Sequence, residues 1–199
     1  IKTPEIIPLK DGRLYYTDNQ SDYWRLISFI EGIEFDKVRH DDHTAYEGGL
    51  AFGSFLTGAS GIEPALLHEI LPDFHSLQKR CNDFLEALGS DPVNRASLIP
   101  QDIGFVISKH RSLQVIPDLI ANGEIPLRIV HNDTKLSNVI FSYDGRAAGV
   151  IDLDTVMPGS ALFDFGDAIR SCSNSACEDE PDLSKVRFEI SYFEAFSKG

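Results

Sequence analysis

Two stretches of this sequence carry side chains of the kind that handle metal ions and protons. The first, Ile129-Val130-His131-Asn132-Asp133-Thr134-Lys135-Leu136-Ser137-Asn138-Val139-Ile140, delivers an apolar strand into a polar loop bearing His131, Asp133, Lys135 and Asn138. The second, Val150-Ile151-Asp152-Leu153-Asp154, is an apolar strand that ends in Asp152. Carboxylates and a carboxamide gathered at strand ends suit a hard cation such as Mg²⁺, which takes oxygen ligands and keeps some of its waters. Such a cluster by itself leaves phosphatase, kinase and nuclease chemistry open.

Phosphoryl transfer to an alcohol asks little of a protein: a base for the hydroxyl proton, cations across the phosphates, and alignment of the attacking and leaving oxygens. The loop can divide that work. Asp133 lies two residues before Lys135 and five before Asn138. A tight loop at that spacing aims the carboxylate at substrate as the base, the ammonium at the γ-phosphate and the carboxamide at metal. Asp152 then bridges metal between phosphates.

The pattern H-x-D-x-x-x-x-N formed by His131, Asp133 and Asn138 resembles the catalytic loop of protein kinases and, more closely, that of the aminoglycoside phosphotransferase and choline kinase-like family. Ile151-Asp152, six residues, Gly159, four residues and Asp164 resemble that family's second signature, I-D-x(6)-G-x(4)-D, at full spacing. Closer still, residues 131–135, 150–159 and 164–170 resemble the N-acetylhexosamine 1-kinase branch, which phosphorylates the anomeric hydroxyl of N-acetylglucosamine or N-acetylgalactosamine with ATP. The resemblance implies an α+β, protein kinase-like two-lobed fold. Residues 1–30 are expected to be the remainder of a small β lobe, and residues 33–199 a mainly helical lobe. Phe29, Ile30 and Glu31, before Gly32, fall where such folds place the hinge whose backbone binds adenine. The implied cofactors are ATP and Mg²⁺, with Asn138 and Asp152 as metal ligands and a small sugar as acceptor.

Asp164-Phe165-Gly166 spells the protein kinase metal triplet, but it lies 26 residues after Asn138, whereas Asp152 lies 14 after it. Asp152 therefore takes the metal position, and the family resemblance gives Asp164 a supporting role, hydrogen-bonded to the catalytic loop. Asp154 could ligate a second metal or brace the loop. Strand alternation puts it on the face of Asp152, and bracing is the expectation. His131 is expected to anchor the loop by packing and hydrogen bonding, since Asp133 already supplies the base. The run His40-Asp41-Asp42-His43 is expected to be a helix cap, because adjacent residues at a helix entry point in different directions. Of Tyr23 and Trp24, neighbours on a strand, one is expected to face the core. Cys81, Cys172 and Cys177 form neither an even disulfide set nor a C-x-x-C pair and are expected to be reduced.

The elements that must position these residues follow from periodicity and punctuation. Glu5 to Leu9, Arg13 to Tyr16 and Tyr23 to Phe29 predict a small antiparallel meander. From Asp41 onward the spacing becomes helical, with Asp41 or Asp42 capping a first helix, Asp73 a second, and Gln101 to Ala121 forming a third. Gly49, Gly53 and Gly58 in the first helix predict close helix packing, since the G-x-G-x-x-G spacing of a phosphate loop is absent. Strands return at Leu127 to Val130, Asn138 to Phe141 and Ala147 to Ile151, the last two turning at Asp144-Gly145. Helices resume near Ala161 and from Leu183 to Phe196.

Composition narrows the partners. With 199 residues, 42% hydrophobic and 25% charged, the chain can bury one good core. Its net charge of −13 repels phosphate backbones and anionic lipid. No nucleic-acid or membrane partner is expected, no apolar run nears the roughly 18 residues of a membrane span, and a cytoplasmic location is the expectation. The chain opens on Ile1 and holds a single methionine, Met157. It shows neither a glycine-rich phosphate loop nor a strand lysine paired to a helix glutamate, both of which kinase-like folds use to hold ATP. These are expected before Ile1, and further sugar-binding residues after Gly199, so that the piece alone is expected to be inactive.

Overall fold

At its start the chain forms four two-residue strands: β1 (Ile6–Ile7), β2 (Tyr16–Thr17), β3 (Tyr23–Trp24) and β4 (Leu26–Ile27). The structure, a computed structural model, describes residues 1–35, 38, 40–176 and 179–199, without the side chain of Arg111. Cys177 lies outside the described residues. Strand β1 pairs antiparallel with β4, and β2 with β3. Both early segments therefore pair with the same returning segment, which makes one interrupted hairpin and not the three-strand meander that alternation predicts. The interruption closes on itself: Leu9 donates to the Arg13 carbonyl at 2.8 Å, and Gly12, at φ +86°, donates to that of Leu9. Tyr23 and Trp24 are both exposed, at 73% and 61%, contrary to the expectation that one faces the core.

Residues 29–32 lead from the hairpin into β5 (Ile33–Glu34), which pairs antiparallel with β7 (Val139–Phe141), itself paired with β8 (Ala147–Val150). Lys2 lies along the far side of β8, donating to the Ala148 carbonyl and accepting from the Val150 amide. Gly149 permits this approach: a Cβ there would stand 2.8 Å from Ile30 Cδ1 and 3.1 Å from the Lys2 carbonyl oxygen. The β7–β8 turn is the expected one, with Gly145 at φ +83° donating to Ser142.

Helix α1 (Asp42–Ala59) starts where Asp41 accepts from the Thr44 amide at 3.0 Å, the cap expected from the His40 to His43 run. Its buried face packs on α6 (Ile190–Lys198) and on Leu136, in the segment just before β7. Gly48 and Gly49 make that contact possible, since a Cβ would fall 2.3 Å from Leu136 Cδ2 and 2.1 Å from the Phe196 carbonyl oxygen respectively. Close packing thus accounts for Gly49 but not for Gly53 or Gly58, which meet nothing that tight. Ala45, Phe52, Leu136, Val139, Phe141, Val150, Ala168, Cys172 and Phe196 form the core around this contact.

Between α1 and the site-bearing strands run α2 (Leu77–Ser90), α3 (Pro100–Leu113) and α4 (Val115–Ala121). Ser76, not Asp73, caps α2 by accepting from Lys79; Asp73 sits at φ +61° in the turn before it. The single helix expected over 101–121 breaks at Gln114. Pro117 has no N–H to give the Leu113 carbonyl, so it is tolerated only in the first turn of a new helix.

Strand β6 (Arg128–Val130) pairs antiparallel with β9 (Met157–Gly159), which sequence patterning misses because Pro158 and Gly159 argue against a strand. Ser160 then caps α5 (Ala161–Cys172). The helix expected from Leu183 to Phe196 is instead a single 3₁₀ turn, Leu183–Lys185, followed by extended chain and then α6. The Ser175 amide donates to the Arg187 carbonyl and the Glu189 amide to that of Ser173, pairing the two segments and leaving Glu189 to open α6. Cys81 and Cys172 are free and buried, and burial pushes the Cys172 thiol up to about 12.

Candidate active site

The loop from His131 to Asn138 runs from the end of β6 to the start of β7. His131 is fully buried, its ring edge-on to Phe52 and Phe55. Its Nε2 lies 2.9 Å from the Ile151 carbonyl oxygen, and its Nδ1 accepts from the Asp133 amide at 3.3 Å. Together these bonds use the Nε2–H tautomer, with neither ring nitrogen turned to solvent. Asn132 takes φ +65°, an unusual conformation for a residue with a Cβ. Its Nδ2 donates to the Thr155 carbonyl, and Thr155 Oγ1 in turn donates to the His131 carbonyl at 2.7 Å.

Asp164 grips this bend. From the first turn of α5 its two carboxylate oxygens accept the amides of His131 and Asn132, each at 2.8 Å. Burial pushes its carboxyl above the usual range, while those amides and the His131 and His75 rings pull it down. One turn on, Asp167 accepts the Thr134 amide at 2.9 Å, and Thr134 Oγ1 donates to the Asp164 carbonyl at 2.5 Å.

Asp133 and Lys135 are partly exposed, while Asn138 is buried. The Asp133 carboxylate lies 3.1 Å from Lys135 Nζ and accepts from Asn138 Nδ2 at 2.9 Å. Asn138 Nδ2 also donates to the Asp133 carbonyl, which spends both amide hydrogens and leaves the carboxamide oxygen for other partners. The Ile151 amide donates to the Asn138 carbonyl at 2.9 Å, so the β7–β8 pairing brings the residue before Asp152 against Asn138. Asp152 is exposed and sits at φ +61°, ending the strand and opening a 3₁₀ turn, Leu153–Thr155. The Asn138 carboxamide oxygen and the exposed Asp152 carboxylate are donors of the kind Mg²⁺ takes, but among the described residues no three His, Cys, Asp or Glu side chains gather closely enough to hold a metal ion.

The 3₁₀ turn also undoes the strand alternation invoked for Asp154. Asp154 forms an ion pair with Arg25 of the hairpin, a partner sequence reasoning did not name. Phe29 is exposed and Ile30 buried beside Gly149, with Glu31 exposed at the entry to β5. Thr155 was also missed, and no spacing rule points to it. Asp167 stands three residues after Asp164, a helical interval that could have revealed it.

A family model described as phosphotransferase enzyme family matches residues 1–198. The chain belongs to the phosphotransferase enzyme family. Solved structures with the same fold include an aminoglycoside phosphotransferase from Alicyclobacillus acidocaldarius, at TM-score 0.64 and 13% identity over 99% of this chain and 59% of that one. Aminoglycoside phosphotransferase APH(3'')-Id from Streptomyces rimosus is similar at TM-score 0.54 and 14% identity, over 98% of this chain and 72% of that one. A microcompartment-associated aminopropanol kinase matches at TM-score 0.51 and 17% identity, over 100% of this chain and 60% of that one. The mixed α+β arrangement is therefore that of family members with kinase-like folds. This phosphotransferase-family chain spans 59% of the length of the first of them.

Proposed function

We propose that this chain carries the base and metal-binding half of an ATP-dependent small-molecule kinase. The acceptor is the anomeric hydroxyl of an N-acetylhexosamine and the product a hexosamine 1-phosphate. The observation that carries the reading is the Asp133 carboxylate, held between Asn138 Nδ2 at 2.9 Å and Lys135 Nζ at 3.1 Å on an otherwise immobilised loop. Asp133 takes the hydroxyl proton as the oxygen attacks phosphorus. Lys135 steadies the γ-phosphate, and Asn138 and Asp152 hold Mg²⁺. The metal, when bound, offsets the negative charge that the phosphate oxygens bring together. His131 and Asp164 support the loop, Asp154 ties the turn after Asp152 to Arg25 of the hairpin, and Phe29, Ile30 and Glu31 present backbone groups to adenine between a β lobe, residues 1–30, and a helical lobe, residues 33–199.

The choice of sugar rests on the motifs at 131–135, 150–159 and 164–170. A second acceptor class is favoured by one feature of the structure. A mostly apolar cavity of about 310 Å³ beside Asn132 has Glu69, Asp73, Phe74, His75 and Phe163 among its lining residues, carboxylates and rings of the kind that suit an amine-bearing alcohol. Consumption of Mg-ATP by the full-length protein, measured with N-acetylglucosamine, N-acetylgalactosamine, choline, homoserine and an aminoglycoside, decides between them. Turnover with a hexosamine and appearance of its 1-phosphate is the expected result. Turnover confined to the amines overturns the sugar assignment, and no turnover with any acceptor or with Mg-ATP alone overturns the kinase.

A further inference from the structure

Helix α5 presents three polar side chains at positions 164, 167 and 171, the i, i+3, i+7 stripe of one helical face. Each meets a backbone amide of the catalytic loop. Asp164 takes those of His131 and Asn132, Asp167 takes that of Thr134 at 2.9 Å, and Ser171 Oγ takes that of Leu136 at 3.4 Å. The loop's side chains alternate to match. Thr134 and Leu136 are fully buried toward the helix, while Asp133 and Lys135 keep side-chain exposures of 23% and 35%.

From this match we infer that Asp167 is a positioning residue for the phosphoryl-transfer site, fixing the peptide between Asp133 and Thr134 and thereby the direction in which the Asp133 carboxylate points. Asp164 secures the bend before Asp133, and the peptide directly after it is held at both of its polar groups, the carbonyl by Asn138 Nδ2 and the N–H by Asp167. Without the Thr134 N–H bond, this peptide keeps its carbonyl contact with Asn138, a partner on the same loop, and loses the tie of its N–H to α5. The rival account of Asp167 is a surface ion pair, since its other oxygen accepts from Arg170 Nη2 at 2.8 Å and Nε at 3.1 Å. The two contacts are separable, because the ion pair uses Oδ1, whereas Thr134 bonds to Oδ2.

Substitution separates the two accounts, because asparagine keeps an acceptor for the Thr134 amide and loses the charge that Arg170 sees. The inference rests on the kinase reading for its kinetic readout but not for its structural one. In the full-length protein with Mg-ATP and N-acetylglucosamine, Asp167→Ala is expected to lower kcat about tenfold to a hundredfold, the range typical of lost supporting hydrogen bonds, with KM for ATP unchanged. Hydrogen exchange at the Thr134 amide is expected to quicken in the same variant. Asp167→Asn is expected to keep most of both kcat and protection. An asparagine variant as impaired as the alanine one, or native protection of Thr134 in Asp167→Ala, overturns the inference. If the native protein turns over none of the acceptors, the kinase reading fails while the exchange measurement still decides the positioning role.

Discussion

Asp164 shows how one residue can set a loop and carry a titratable cost at the same time. Its two oxygens satisfy the amides of His131 and Asn132, which the bend at Asn132 would otherwise leave without partners in a buried place. Burial raises its carboxyl above the ordinary value despite those bonds. A carboxyl raised in the folded state binds its proton more tightly there than in the unfolded chain. Its contribution to stability is therefore complete at low pH and is lost as pH rises from the ordinary carboxylate value through the raised one. Urea unfolding should reveal this as a difference: as pH rises through that window, the native protein loses stability relative to Asp164→Asn, which does not titrate. Parallel pH profiles would contradict the assignment. That Asp133, Lys135 and Asn138 meet was legible in sequence because their spacing is local. Arg25 and Thr155 were not, since the one meets Asp154 from 129 residues away and the other meets His131 from 24.

At the scale of elements, small residues decide which helices touch. Gly49 brings α1 against the backbone of α6, where a Cβ would stand 2.1 Å from the Phe196 carbonyl oxygen. Gly49→Ala should therefore destabilise the fold by about 1–3 kcal/mol through overpacking. Gly53→Ala, one turn along with its nearest neighbour at 3.9 Å, should stabilise by up to about 1 kcal/mol through helix propensity. Chemical unfolding of the pair checks both signs, and equal effects would remove the packing argument. Periodicity located α1, α2, α5, β6, β7 and β8, whose apolar faces are continuous. It failed where a single residue or a distant partner overrode the pattern. Pro117 split the helix expected over 101–121, and pairing with 173–175 drew 187–189 out of the helix expected over 183–196. Strand β9 escaped because its Met-Pro-Gly composition forms a strand only with β6 beside it.

Across the whole molecule, the hairpin and the site-bearing segments meet where Lys2 runs along β8, where Ile30 packs at Gly149, and at the Arg25–Asp154 ion pair. Arg25 and Asp154 also line a cleft with Tyr15, Tyr23, Trp24, Ile70 and Leu153. The family motifs made the α+β class and the loop legible, while the cleft was not, because it depends on how β3 and the turn after Asp152 approach one another. On the proposed function, everything in this arrangement serves one carboxylate, and its removal is the most direct test. In the full-length protein, Asp133→Asn keeps the side chain's shape and its contact with Asn138 but cannot accept the hydroxyl proton. Phosphoryl transfer to N-acetylhexosamine is predicted to fall to background, with Mg-ATP binding by calorimetry unchanged; transfer at the native rate in this variant would contradict the account.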